Sequence, residues 1–187
     1  MPLQRRAGPS GPNLSSATRS VKGCSEPGQA HPSGEAAIEA ALVRGQGESM
    51  DGSSYVAVQQ WVHDFDAFEA LASQDQDNHF GRRRSDNEEL EDSPTWAHVK
   101  RTAQESFDPP AFMLRRSMPW LESTQAGLMF VAFGKSHYAF DVQMRRMAGY
   151  EDNILDAMFR ISKPVTGSYF WCPPVRDGKL DLRQLGL

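Results

Sequence analysis

The 187-residue sequence predicts an α+β fold, a ferredoxin-like (split βαβ) antiparallel sheet with helices on one face. Three observations point there. The apolar segments come in the order strand, helix, strand, strand, helix, strand. Strand-like stretches alternate apolar and polar side chains with period two, whereas the helical ones repeat at i, i+3 and i+4. One stretch, GLMFVAF at 127–133, is apolar on both faces, which belongs in the middle of a sheet.

The first 33 residues are rich in Gly, Pro, Ser, Arg and Ala and nearly lack large apolar side chains. Such a segment cannot bury enough surface to offset its ordering entropy, so 1–33 is expected to be disordered and 34–187 to form one domain. A short Ala-rich helix is expected over 35–43, with Ile38 and Leu42 at i, i+4. After a Gly/Ser loop, 55–62 (YVAVQQWV) reads as a strand with Val56 and Val58 on one face and Tyr55, Ala57 and Trp61 on the other. Asp64 or Asp66 caps the next helix, which carries Phe65, Phe68, Leu71 and Ala72 on one stripe.

Residues 81–110 are polar and aperiodic, and a loop of that length carries function or is disordered. Strands follow at 111–116 and 127–133, then a helix at 138–148 with Phe140, Met144, Met147 and Ala148 aligned and Gly149 closing it. A helix at 151–160, a turn at 163–167 and a strand at 168–172 complete the order. Helices on one face leave the other needing a cover or a ligand.

Charge and composition exclude several classes. No acid precedes Glu26, while Arg5, Arg6, Arg19 and Lys22 are basic, so the remainder is more acidic than the whole chain's −4. An acidic body argues against nucleic-acid partners, which need clustered Lys and Arg on one surface. The only notable basic run, Arg82, Arg83 and Arg84, reads as a solvated loop. No apolar run approaches the roughly 18 residues of a membrane span, so no membrane partner is expected. Two cysteines, Cys24 and Cys172, make no bridge framework, which points to a reducing, cytoplasmic setting.

The chemistry centres on 94–119. His98, flanked by Trp96 and Val99, precedes a strand written Ala111, Phe112, Met113, Leu114, Arg115, Arg116. Alternation sends one of the two adjacent arginines to the covered side, where a guanidinium needs a carboxylate, a propionate or a bound anion. None of the five histidines (His31, His63, His79, His98, His137) pairs at metal-site spacing, and no Walker, HExxH or GxGxxG pattern occurs. A haem needs only one axial imidazole, so His98 alone can serve. A carboxylate holding its second ring nitrogen would strengthen it as a ligand. Asp156, with Asp152 behind it, is either that partner or an exposed helix carboxylate. Cys172 ends an apolar strand and reads as a small core residue rather than a haem thiolate.

The segments GSSYVAVQQWVHDFDAFEAL, FGRRRSDNEEL, AHVKR, FMLRRSMPW, GLMFVAFGKS and FRISKPVTGSYFW resemble, in order and spacing, the C-terminal half of dye-decolourising haem peroxidases. The resemblance runs from about Gly34 to the end. It implies haem b as cofactor, His98 as proximal iron ligand and Asp156 as its carboxylate partner. It makes Arg115 the distal arginine that stabilises charge as the peroxide O–O bond breaks, with Ser117 a neighbouring distal residue. Hydrogen peroxide and an organic electron donor are the implied partners.

Departures stand beside these matches. The family's GxxDG aspartate, followed shortly by Asn-Pro, has no counterpart: His31-Pro32 stands where Asn-Pro would be, and CSEPGQA at 24–30 holds no aspartate. GESMDG at 47–52 has one residue too many and falls too late, so Asp51 receives no catalytic role. The family's first ferredoxin-like domain is not in this sequence, which reads as a truncated member. Two rival readings follow: a non-catalytic haem-binding remnant or interaction module, and a fragment whose uncovered sheet face drives self-association into a homo-oligomer.

Overall fold

The computed structural model describes residues 34–187, so the expectations for 1–33, with Cys24 and His31, lie outside the described residues. Helix α1 (Glu35–Ala41) leads through a loop to β1 (Ser54–His63), followed by α2 (Phe65–Glu69), α3 (Ser73–Phe80) and α4 (His98–Arg101). Strands β2 (Leu114–Arg115), β3 (Met118–Glu122) and β4 (Gln125–Gly134) come next, then α5 (Tyr138–Met147) and α6 (Met158–Ile161). β5 (Ser162–Pro164) and β6 (Ser168–Cys172) complete the main sheet, and β7 (Val175–Arg176) and β8 (Lys179–Leu180) form a small hairpin.

The sheet is antiparallel throughout. β4 and β1 lie at its centre, β2 and β3 continue one another along β4, and β5 and β6 both pair with β1. Four strand positions therefore stand in the ferredoxin-like order. The doubly apolar stretch at 127–133 is central as its composition requires, paired on both sides. Its Gly127 is needed for close approach, since a Cβ there would stand 1.8 Å from the Trp61 carbonyl oxygen. That carbonyl accepts a hydrogen bond from Trp120 Nε1 at 3.0 Å, tying the edge strand to the centre.

One apolar cluster joins Ala57, Met113, Ala132 and Phe140, and a second joins Trp61, Leu128 and Met147, so sheet and α5 share one face. On the opposite face Val56 is buried, but Met118 and Phe170 are about half exposed.

Several elements differ from expectation for identifiable reasons. The expected strand 111–116 shrinks to Leu114–Arg115 because Gln104 captures the backbone before it. Its carbonyl accepts from Ala111 N at 2.8 Å and its side-chain Oε1 from Met113 N at 2.9 Å. The pairing resumes in β3, where Pro119 obscured the strand; proline is tolerated there because β3 is an edge. The expected helix 151–160 forms only at Met158–Ile161. Asn153 sits at φ 61°, left-handed backbone that ends any helix, and Ala148 bridges to Leu155 so that the loop folds back on α5.

The α2 cap is Asp64, whose Oδ1 accepts from Ala67 N at 2.9 Å. The polar α3 carries no apolar stripe to reveal it and ends on Gly81 at φ 75°. The arginine run is not uniformly solvated, because Arg82 is buried and donates to the Asn87 carbonyl and Glu89. Cys172 is exposed rather than a core residue, since the edge strand β6 leaves it uncovered.

Gly127→Ala should lower stability by about 1–3 kcal/mol or more, because the clash is with backbone rather than a movable side chain. Gly167→Ala, with nothing within 4 Å, is the control. Urea midpoints of the two variants check it; equal midpoints would remove the close-approach argument.

Candidate functional site

A cavity of about 680 Å³, its open mouth included, lies between the sheet and the helices that cover it. It is on the helix side of the sheet, not on the opposite face that was expected to need a cover or a ligand. Helices on one side leave space over the sheet here: α4 is a single turn, and Phe140, Met144 and Met147 of α5 line the cavity. The floor is built by β1 and β4 through Gln59, Trp61, His63, Leu128 and Phe130. Arg115 and Ser117 extend it on the neighbouring edge, and Arg116 is exposed, so alternation delivers the arginine it should. The roof carries His98 and Thr102, Met158 of α6, and Phe140, Met144 and Met147 of the α5 stripe read from its periodicity.

His98 opens α4, and its Nδ1 lies 2.9 Å from Asp156 Oδ2. Asp156 is fully buried, unlike the exposed helix carboxylate that was one reading of it. Its other oxygen, Oδ1, accepts from Met158 N at 2.8 Å. A carboxylate accepts hydrogen bonds and does not donate them, so His98 Nδ1 carries the hydrogen, and in the neutral ring Nε2 is the atom with the lone pair. His98 lines the cavity, and Nε2 is the atom it has to offer there.

Two further contacts hold the pair. Arg101, one turn along α4, binds both oxygens of Asp152 at 2.7 Å and the Arg146 carbonyl at 2.6 Å. Asp152 therefore anchors the loop rather than backing His98, and the Arg101 guanidinium holds its carboxyl below the usual range. Asp156 N also donates to the Met147 carbonyl at 2.8 Å, fastening the loop to the end of α5.

His63 is the cavity residue that pattern reading missed. It ends β1 in the same period-two row as Gln59 and Trp61, a signal present in the sequence. Its Nδ1 lies 2.7 Å from Ser162 Oγ, and burial pushes its pKa down to about 4. His79 has the bland role expected, buried with Nδ1 2.7 Å from the Asp75 carbonyl. Asp51 Oδ1 accepts from Gln46 N at 2.8 Å and closes its own loop. Neither Asp51 nor Cys172 is among the cavity residues.

This set suits a flat apolar cofactor with a metal at its centre. Methionines and aromatics offer faces to a macrocycle, one imidazole with a carboxylate behind it offers an axial ligand, and an arginine offers a cation on another wall. Among the described residues no group of three His, Cys, Asp or Glu is placed to hold a bare metal ion.

Comparison with known proteins bears on the same region. The family profile described as Dyp-type peroxidase, C-terminal, matches residues 19–177. A dye-decolorizing peroxidase of Mycobacterium tuberculosis is 30% identical over 158 residues, covering 79% of this chain and 46% of that protein. One from Rhodococcus erythropolis is 31% identical over 156 residues, covering 78% of this chain and 45% of its own. The dye-decolorizing protein from V. cholerae superposes with a TM-score of 0.71 at 32% identity, over 79% of this chain and 49% of that one. A DypB variant from Rhodococcus jostii RHA1, solved in complex with heme, gives 0.73 at 27% identity over 83% and 52%. The chain thus spans less than half the length of these two sequence relatives.

The lowered pKa of His63 predicts a pH dependence of stability. The fold favours the neutral ring, and between pH 6.5 and about 4 the unfolded chain binds the proton that the folded chain does not. Stability therefore falls as pH drops through that window, by at most about 3 kcal/mol, less what solvent screens at the open edge of the ring. His63→Gln should flatten this part of the denaturation midpoint curve, and an unchanged slope would show that another group titrates.

Proposed function

The chain belongs to the dye-decolourising peroxidase family, as its C-terminal part, and on that premise we propose that it is a haem-dependent peroxidase that uses hydrogen peroxide to oxidise organic donors. The observation that carries this reading is the His98–Asp156 pair at the edge of an apolar cavity with Arg115 in its wall. In this reading His98 holds the iron through Nε2, and Asp156, by accepting from Nδ1, makes the imidazole a more basic ligand. Bound there, haem would supply the redox chemistry of peroxide reduction coupled to one-electron oxidation of a donor.

The remaining steps belong to the chain. Arg115 sets a fixed cation where negative charge develops on the peroxide oxygen, an effect strengthened by the apolar walls that exclude water. Ser117, two residues on in the same row, offers a hydroxyl to orient the peroxide. Trp61, Phe130 and Met144 keep the cavity dry and give a macrocycle its packing surface.

A second reading, a haem-binding module without turnover, draws on a specific observation. No carboxylate is among the described residues lining the cavity, so those residues include no acid to move protons between the peroxide oxygens. Such assistance is typically worth about 10² to 10⁴ in rate, and its lack slows turnover without touching cofactor binding.

Haemin titration followed in the Soret region tests the site directly. Saturation is expected near one haem per chain, with the band lost or displaced in His98→Ala; uptake with an unchanged spectrum would end the ligand assignment. Asp156→Asn should retain haem but raise its reduction potential, since the imidazole becomes a weaker donor. Arg115→Leu should keep the haem and lower the rate of reaction with peroxide by about 10²–10³, read by stopped flow. Haem uptake with no peroxide-dependent dye oxidation above free haemin would favour the module.

A further inference from the structure

Four of the chain's eight methionines, Met113, Met144, Met147 and Met158, line the cavity, and neither a cysteine nor a tyrosine is among the described residues that do. Thioethers are therefore the groups on its walls most ready to accept an oxygen atom. Met113, Met147 and Met158 are buried, so peroxide reaches their sulfurs through the cavity rather than from bulk solvent. Met118, on the opposite face of the sheet, is by contrast 56% exposed.

Met158 differs from the other three. A second hollow of about 270 Å³, its mouth included, is lined by Phe65, Phe68, Phe80 and Ile161 together with His63 and Met158. His63 and Met158 are the two residues common to both hollows, so they form the partition between them. An added oxygen needs room in an interior packed at crystal density, and Met158 has the second hollow to receive it. Met147, packed with Trp61 and Leu128, borders the first cavity alone. A sulfoxide oxygen also needs a hydrogen-bond donor, and His63 offers one. Its Nδ1 lies 2.7 Å from Ser162 Oγ, a hydroxyl that can give as well as receive, so the ring's hydrogen can stand on Nε2. Met158 is tied to the site as well, since its backbone N–H donates to Asp156 Oδ1 at 2.8 Å.

Resting on the peroxidase reading above, we propose that Met158 is a modification site, an internal oxygen acceptor that consumes peroxide when no organic donor is present. The sulfur lone pair forms the new S–O bond as the peroxide O–O bond breaks, and the second oxygen leaves as water with both protons. Sulfur is oxidised by two electrons, peroxide is reduced by two, and the cofactor held against His98 is unchanged at the end. The sulfoxide oxygen turns into the second hollow toward His63, and an apolar partition becomes a polar one. The change is reversible, because methionine sulfoxide is the substrate of dedicated reductases.

Two measurements test this. The haem-loaded chain is given one equivalent of hydrogen peroxide without a donor, and the added oxygen is located by mass spectrometry of fragmented peptides. Met158 should gain oxygen at least about tenfold faster than exposed Met118, because a thioether held at the reacting centre has the advantage of proximity. Oxygen arriving on Met118 first, or on Met113, Met144 or Met147 in preference, overturns the proposal and leaves the peroxidase reading intact. The second measurement needs no haem. In the cofactor-free chain Met158→Gln, which places a neutral oxygen at similar reach, should lower the urea midpoint by less than about half as much as Met147→Gln, whose amide gains no second hollow. A larger share overturns the proposal, whatever haem does. A chain that shows no Soret band fails on the peroxidase reading itself, and the urea comparison then decides the polar partition alone.

Discussion

The site depends on a single buried interaction, the hydrogen bond between His98 and Asp156. A carboxylate with no exposure to water is costly unless its oxygens are satisfied, and Asp156 has a histidine N–H and a backbone N–H to do so. The requirement works in both directions. Asp156 fixes which imidazole nitrogen faces the cavity, and His98 is what allows a carboxylate to sit at the base of an apolar wall. Removing either member leaves the other without its reason to be buried.

Much of the local fold serves to bring those two side chains together across 58 positions of sequence. α4 is only four residues long and would not hold its place by helix propensity. It is held instead by the Arg101 fork on Asp152 and by the Val99 side chain, which packs where Gly81 leaves space for it. The loop bearing Asp156 is fastened by its bridge to Ala148 and its bond to Met147, so the end of α5 serves as the common reference for both partners. The same helix supplies much of the apolar roof of the cavity. The His98–Asp156 pair and the cavity it faces thus share one element.

The sheet contributes in a different way. Its inner face is a period-two surface on which Arg115, Ser117, Gln59, Trp61 and His63 fall by alternation alone. This places a cation on one wall and a neutral histidine on another without any loop having to carry them. The opposite face keeps Met118 and Phe170 half exposed. The chain also spans less than half the length of the two sequence relatives reported above.

The sequence by itself determined the central strands, the α5 stripe, the glycine that closes it and that one of Arg115 and Arg116 faces inward, because each rests on a short-range period that local residues impose. It determined the fold class for the same reason, since six such elements in order leave few topologies. The resemblance to a family supplied His98 and Asp156, which periodicity could not have joined. Tertiary structure alone decided that Asp156 is buried, that Asp152 belongs to Arg101, and that Gln104 draws residues 111–113 away from the sheet. It also decided that the cavity lies beneath the helices and that His63 shares it. The physical reason is common to all of these: each depends on a partner distant in sequence, or on a backbone group taken by a side chain, and neither leaves a repeat in the sequence to be read.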